Sequence, residues 1–183
     1  MKWNTTAIDD FRKVSIEIET SYSLNDRELT ALERITQFFE LAGGDLHLLK
    51  HDYFVIGSAA MVLAGCEMYK IGDINLLTSS ADANFLKEQW KDRQVKDHVY
   101  AYDRIFRSNS GRFRFKGVDA EVMGNLEVNA GQQWVPLLVR QFMNVTVAGV
   151  QVKIPTIKEQ HRIYRFFGRP KDIQKAQLLL KHL

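Results

Sequence analysis

Residues 52–78 constrain the fold more than any other part of the chain. "DYFVIGS" is a short apolar run that ends in glycine, "AAMVLAG" is small, apolar and of helical character, and "DINLLT" is a second apolar run. A strand that turns at glycine into a helix, followed by another strand, places helices against a sheet. The rest of the chain extends this pattern. "SLNDRELTALERITQFFELAGG" repeats Leu29, Leu32, Ile35 and Phe39 at helical spacing, with Asn25 and Glu28 placed to cap its start and Gly43-Gly44 to end it. "SADANFLKEQWKDR" predicts a helix that turns Ala83, Leu86 and Trp90 inward.

Strands are predicted around "HVYAYDRIF", "RFRF" and "VDAEVM", and "NVTVAGVQVKIP" reads as a hairpin that turns near Gly149. The C-terminal part is helical. Thr156 and Glu159 have capping-box spacing, Ile157, Tyr164 and Phe167 share a face, Gly168 is a stop, and Pro170 opens a last helix. Residues 1–22 fit a strand or a helix, with helix preferred. The expectation is one α/β (α+β) domain over residues 1–183: a mixed sheet flanked by helices, with a core of about 24–154 and a helical part, 155–183, packed on it.

Composition excludes some classes. A hydrophobic fraction of 45% supports a packed core and excludes disorder. No apolar run approaches the roughly 20 residues of a membrane helix. The acidic start "MKWNTTAIDD" does not read as a signal peptide, and one cysteine, Cys66, cannot form an internal disulfide. A cytoplasmic protein is expected. The net charge of +3 neither demands nor excludes a polyanionic partner.

Three pieces carry chemistry. Gly57-Ser58 lies between a strand and a helix, where glycine lets backbone approach a phosphate and the hydroxyl adds a donor. Asp73 and Asn75 alternate with Ile74 and Leu76, so both project from one strand face. Asp119 and Glu121 do the same in "KGVDAEVMG". Hard oxygen ligands on two neighbouring strands suit a magnesium ion. "GRFRFKG" sets Arg112, Arg114 and Lys116 on a basic strand face, read either as a phosphate or RNA contact or as a solvated surface.

In this order the pieces resemble the nucleotidyltransferase fold superfamily, and most of all its minimal bacterial antibiotic- and toxin-system branch. "GRPKDIQKAQLL" resembles the basic segment that often follows, and the likeness spans about residues 50–182. The resemblance implies transfer of a nucleoside monophosphate from a nucleoside triphosphate to a hydroxyl acceptor. Gly57 and Ser58 would hold the triphosphate, and Lys70, Arg114 and Arg169 are further candidate nucleotide contacts; Arg169 belongs to a basic cluster with Arg162, Arg165 and Lys171 that reads either as a triphosphate contact or as surface. Asp73, Asn75 and Asp119 would hold Mg2+, and Asp119 would act as base.

One residue departs from the pattern. Asn75 stands where the family has its second aspartate, and an amide oxygen can coordinate an ion but brings no charge. Ile71 and Tyr69 also stand where hydroxyl or basic residues are common, with Lys70 as the nearest cation. Either Glu121 completes a different triad with Asp73 and Asp119, or catalysis is reduced or lost and the chain is a nucleotide-binding or protein-interaction relative. An RNA-binding accessory domain is a further alternative. The acceptor class, whether a small molecule, a protein or a tRNA end, is left open, as is a homodimer.

Overall fold

A computed structural model describes residues 29–68, 70–95 and 104–183. The expectations for residues 1–22, for the Asn25/Glu28 cap and for most of "HVYAYDRIF" fall outside these residues. The elements run in the order α1 (Ala31–His47), β1 (Phe54–Ile56), α2 (Gly57–Leu63), β2 (Asp73–Thr78), α3 (Ser80–Gln89), β3 (Phe106–Phe115), β4 (Val118–Asn129), β5 (Trp134–Pro136), β6 (Phe142–Val147), β7 (Val150–Pro155), α4 (Ile157–Phe167) and α5 (Pro170–Leu179). The strands form one mixed sheet in the order β3-β4-β2-β1-β7-β6, with β5 paired to β4. β2 runs parallel to β4 and β1 parallel to β7, and the remaining pairs are antiparallel. The α/β expectation of a mixed sheet flanked by helices is met.

Helices cover both faces of the sheet. On one face α1 and α3 pack Ile35, Phe38, Phe39 and Leu86 against Ile74, Leu76, Ala120 and Val122. Trp90 lies edge-on to Phe38, Phe113 and Phe115, and its indole N–H donates to Asp45 Oδ2 at 2.7 Å. This bond satisfies the one polar atom of a buried tryptophan. On the other face Ile163, Tyr164, Phe167, Ala176 and Leu179 of α4 and α5 pack on Ile56, Leu77, Met123, Leu126 and Val128. Among the described residues no helix is long and apolar enough to cross a membrane.

Three local expectations are corrected. α1 continues through Gly43 and Gly44 to His47. Helical backbone accepts glycine when tertiary packing supports it, and Gly43 faces Val150 so closely that a Cβ there would lie 2.6 Å from Val150 Cγ2. Leu32 is exposed, while Phe38 and Ala42 are buried, so the inward stripe is rotated from the predicted one. The α4 capping box is half formed. Thr156 Oγ1 accepts from the Glu159 N–H at 3.3 Å, but the Glu159 carboxylate is taken by the Arg140 N–H and by Arg162. The Thr156 N–H donates instead to the Gln141 carbonyl.

The other markers behave as predicted. Gly168 ends α4 in the left-handed conformation, Pro170 starts α5, and the β6–β7 hairpin turns at Ala148-Gly149. "RFRF" is the end of β3, a single ten-residue strand. The sequence pattern does not predict β5; Trp134–Pro136 is three residues long and includes a proline, which is tolerated at a sheet edge.

Candidate functional site

The parallel pairing of β2 with β4 builds the site. Its register sets Asp73 opposite Asp119 and Asn75 opposite Glu121. Ile74, Leu76, Ala120 and Val122 all enter the α1–α3 core. The alternation of side chains therefore sends the four polar residues to the other face, at the N-terminal ends of both strands. α4 and α5 cover that face further along, over Leu77 and Met123. The polar ends are left beside a cavity of about 520 Å3.

Neighbouring strands supply the flanks. β1 is antiparallel to β2, with Ile56 opposite Asn75, so the turn at Gly57 sits beside the Asn75 amide. Gly57 has φ +75°, and a Cβ there would lie 3.2 Å from Asn75 Nδ2. Glycine is required for both the conformation and the close approach. On the opposite side β3 is antiparallel to β4, placing Arg112 across from Glu121 and Arg114 across from Asp119.

Hydrogen bonds tie this patch together. Asn75 Nδ2 donates to Asp73 Oδ1 at 2.8 Å. Arg112 bridges the two aspartates, with Nη1 3.2 Å from Asp73 Oδ2 and Nε 3.1 Å from Asp119 Oδ2. Arg114 Nε reaches Asp119 Oδ1 at 3.5 Å. Burial pushes the Glu121 carboxyl up from the ordinary carboxylate value and the Asp73 charge adds to this, while Arg112, Arg169 and Lys171 pull it back.

The facing wall of the cavity is cationic. Arg169, Lys171 and Lys175 line it together with Tyr164 and Asp172. Arg169 grips the fully buried Asp172 with two donors, Nε at 2.5 Å and Nη2 at 2.9 Å, and its guanidinium lies over the Phe106 ring. Burial lowers the Lys175 pKa, Asp172 opposes this, and Lys171 and Arg169 lower it further. Tyr164 is 3% exposed, and its buried hydroxyl has no hydrogen-bond partner among the described residues.

Of the residues singled out by sequence, Gly57, Ser58, Asp73, Asn75, Arg112, Glu121, Arg169 and Lys171 line the cavity. Asp119, Lys70 and Arg114 are not among its lining residues; Asp119 lies beside Asp73 behind Arg112, and Lys70 and Arg114 are exposed. Lys171, part of the basic "GRPKDIQKAQLL" segment, lines the cavity as well, and Lys175 of the same segment is brought here only by the docking of α5. Arg112 has a local sequence signal, since the two-residue turn Lys116-Gly117 sets its register against Glu121.

The arrangement does not fit a ready-made magnesium site. The Arg112 guanidinium bridges Asp73 Oδ2 and Asp119 Oδ2, the position an ion shared by the two carboxylates would take. Among the described residues no group of three or more His, Cys, Asp or Glu side chains is placed to hold a metal.

No protein-family model matches the sequence, and no curated protein matches it significantly. The fold, however, matches solved structures. A provisionally assigned nucleotidyltransferase from Thermotoga maritima superposes with a TM-score of 0.64 and 16% identity, over 81% of this chain and 94% of that one. The lincosamide antibiotic adenylyltransferase LnuA, solved with lincomycin bound, superposes with a TM-score of 0.52 and 12% identity, over 78% of this chain and 94% of that one. Identities this low speak to architecture alone, and the architecture of this chain is the nucleotidyltransferase fold.

Proposed function

We propose that this chain binds a nucleoside triphosphate in the cavity between the sheet and α4–α5, as a protein of nucleotidyltransferase type. The observation that carries this reading is the composition of the two walls. Gly57, Ser58, Asp73 and Glu121 line one side, and Arg112, Arg169, Lys171 and Lys175 surround the space beside them. A volume of about 520 Å3 falls within the range of small-ligand sites. Cationic side chains in a partly dry cleft suit a polyphosphate.

In a transfer reaction the acceptor hydroxyl attacks the α-phosphorus, the bond to the β-phosphate oxygen breaks, and pyrophosphate leaves towards the cations. The hydroxyl proton goes to Glu121, which lines the cavity and whose carboxyl is held above the ordinary value. Asp119, the base implied by the family pattern, is not among the lining residues, which favours Glu121. The first acceptor class to test is a small-molecule hydroxyl, because one similar structure is an antibiotic adenylyltransferase. Protein and tRNA hydroxyls are the further classes, and a homodimer is tested by light scattering during the same work.

A second reading is favoured by a specific observation. With Asn75 in place of a carboxylate and Arg112 across both aspartates, the chain binds nucleotide and has lost transfer. RNA binding has less support, since Arg112 and Arg114 of the basic stripe are bonded to Asp119.

Calorimetry with ATP, CTP, GTP and UTP tests binding, and pyrophosphate release in the presence of candidate acceptors then separates the first reading from the second. Absence of binding by all four triphosphates refutes both.

A further inference from the structure

We propose that Arg112 is a built-in cation that stands where a divalent ion would otherwise sit, so that the cavity takes its nucleoside triphosphate without a metal. This inference rests on the nucleotide-binding reading and goes beyond it, because it names the charge state of the ligand: free triphosphate rather than its magnesium complex.

Geometry carries the argument. Arg112 contacts Asp73 Oδ2 and Asp119 Oδ2 at 3.2 and 3.1 Å, from the strand next to β4. Its side chain is 20% exposed, and those of Asp73 and Asp119 are 28% and 22% exposed. A guanidinium does not lose its proton in a protein, so this positive charge is permanent. The two remaining oxygens accept from Asn75 Nδ2 and Arg114 Nε. An ion bridging the two carboxylates here must displace the partly buried guanidinium and its two hydrogen bonds. It would gain two carboxylates and a neutral amide, a weak set for magnesium, which releases its water reluctantly.

The asparagine that weakens a metal site strengthens this one. Its amide N–H donates to the carboxylate that Arg112 also holds, which an aspartate could not do while ionised. Asn75 and Arg112 are thus complementary parts of one arrangement.

The rest of the cavity is cationic on balance, with Lys171 and Lys175 beside an Arg169 that is paired to Asp172. Arg112 has five N–H donors, and the two aspartate contacts use two of them, leaving its outer edge for a phosphate oxygen at a wall it lines. Arg169, Lys171 and Lys175 line the same space. Tyr164 also lines this wall, and its buried hydroxyl has no hydrogen-bond partner among the described residues, a state that costs free energy.

The test is titration calorimetry of the full chain with ATP, CTP, GTP and UTP, each in excess EDTA and each in magnesium, with Mn2+ binding to the nucleotide-free protein followed by electron paramagnetic resonance. The expected result is tight binding in EDTA that magnesium does not improve, and no Mn2+ retained by the wild type. Arg112→Gln is expected to weaken binding in EDTA by about 10- to 100-fold, the loss of one or two charge-assisted bonds, and to gain Mn2+ binding as Asp73 and Asp119 are uncovered.

Binding that requires magnesium, or a wild-type protein that retains Mn2+, overturns the inference and leaves the nucleotide-binding reading standing. An Arg112→Gln variant that binds triphosphate in EDTA like the wild type also overturns it. Absence of nucleotide binding in both buffers refutes the nucleotide reading itself, and this inference with it. If Arg112→Gln does not fold, the wild-type comparison between EDTA and magnesium decides alone.

Discussion

Asn75 and Glu121 occupy the same register step of two parallel strands, yet they act on the site in opposite ways. Asn75 donates a hydrogen bond to the Asp73 carboxylate. Glu121 sits in the cavity wall and feels Asp73 as a like charge. Substituting Asn75→Asp replaces the donor with a second carboxylate next to Asp73. The expected outcome is a loss of stability of about 1.5–3 kcal/mol at neutral pH, as a bond to a charged group is lost, measured by urea unfolding. That loss shrinks at pH values low enough to protonate the new carboxyl. Glu121 shows the opposite sign. Its folded-state pKa is raised, so its ionisation opposes folding; the stability it confers is complete below the unfolded carboxylate value and is lost as pH rises through the folded one. Glu121→Gln is therefore expected to raise the melting temperature above wild type at pH 7–8, with the difference closing towards pH 4. A variant that melts below wild type across this range refutes the assignment.

At the scale of elements, two adjacent glycines in α1 separate propensity from packing. A Cβ added at Gly44 would meet no atom within 4 Å, whereas Gly43 is pressed against Val150 of the β6–β7 hairpin. Gly44→Ala is expected to stabilise by about 0.5–1 kcal/mol through helix propensity alone. Gly43→Ala is expected to destabilise by about 1–3 kcal/mol, because overpacking outweighs the same gain. Chemical denaturation of the pair checks both signs. The pair also explains why sequence pattern misplaces the end of α1: Gly-Gly is a stop signal unless a distant strand packs against it, and Val150 is more than one hundred residues away. Asp82 illustrates the same point. Burial alone would raise its carboxyl, but the N–H groups of Lys50 and His51 and the His51 and Ser79 side chains outweigh burial and hold it below the ordinary value. Its role in tying the start of α3 to the loop before β1 has no local pattern. By contrast, the "FKGV" turn fixes the β3–β4 register from local residues alone.

At the scale of the molecule, the sheet is held between two helical layers, and the cavity opens where the second layer stops short of the strand ends. A ligand seated there touches β1–α2, β2, β3, β4 and α5 together, so its binding is coupled to the stability of the whole fold. At a nucleotide concentration 100-fold above Kd the stabilisation is about 2.7 kcal/mol, a rise of about 5–10 °C in Tm for a chain of this size. Differential scanning fluorimetry checks it. The rise is expected to shrink as salt is added, because the cations of the site are partly exposed.

Local pattern was sufficient for much of the chain. The alternation in "DINLL" and "VDAEV" places Asp73, Asn75, Asp119 and Glu121 on strand faces, glycine marks the β1–α2 turn, and the helical periods require a layer on the sheet. These are short-range consequences of backbone geometry and side-chain type. What local pattern leaves open is who meets whom. Only the parallel pairing of β2 with β4 brings the two polar strands into one patch, only the cross-strand reach of Arg112 ties Asp73 to Asp119, and only the docking of α5 brings Lys171 and Lys175 over them. Those contacts join residues tens of positions apart, and long-range packing, to which local periodicity is blind, decides them.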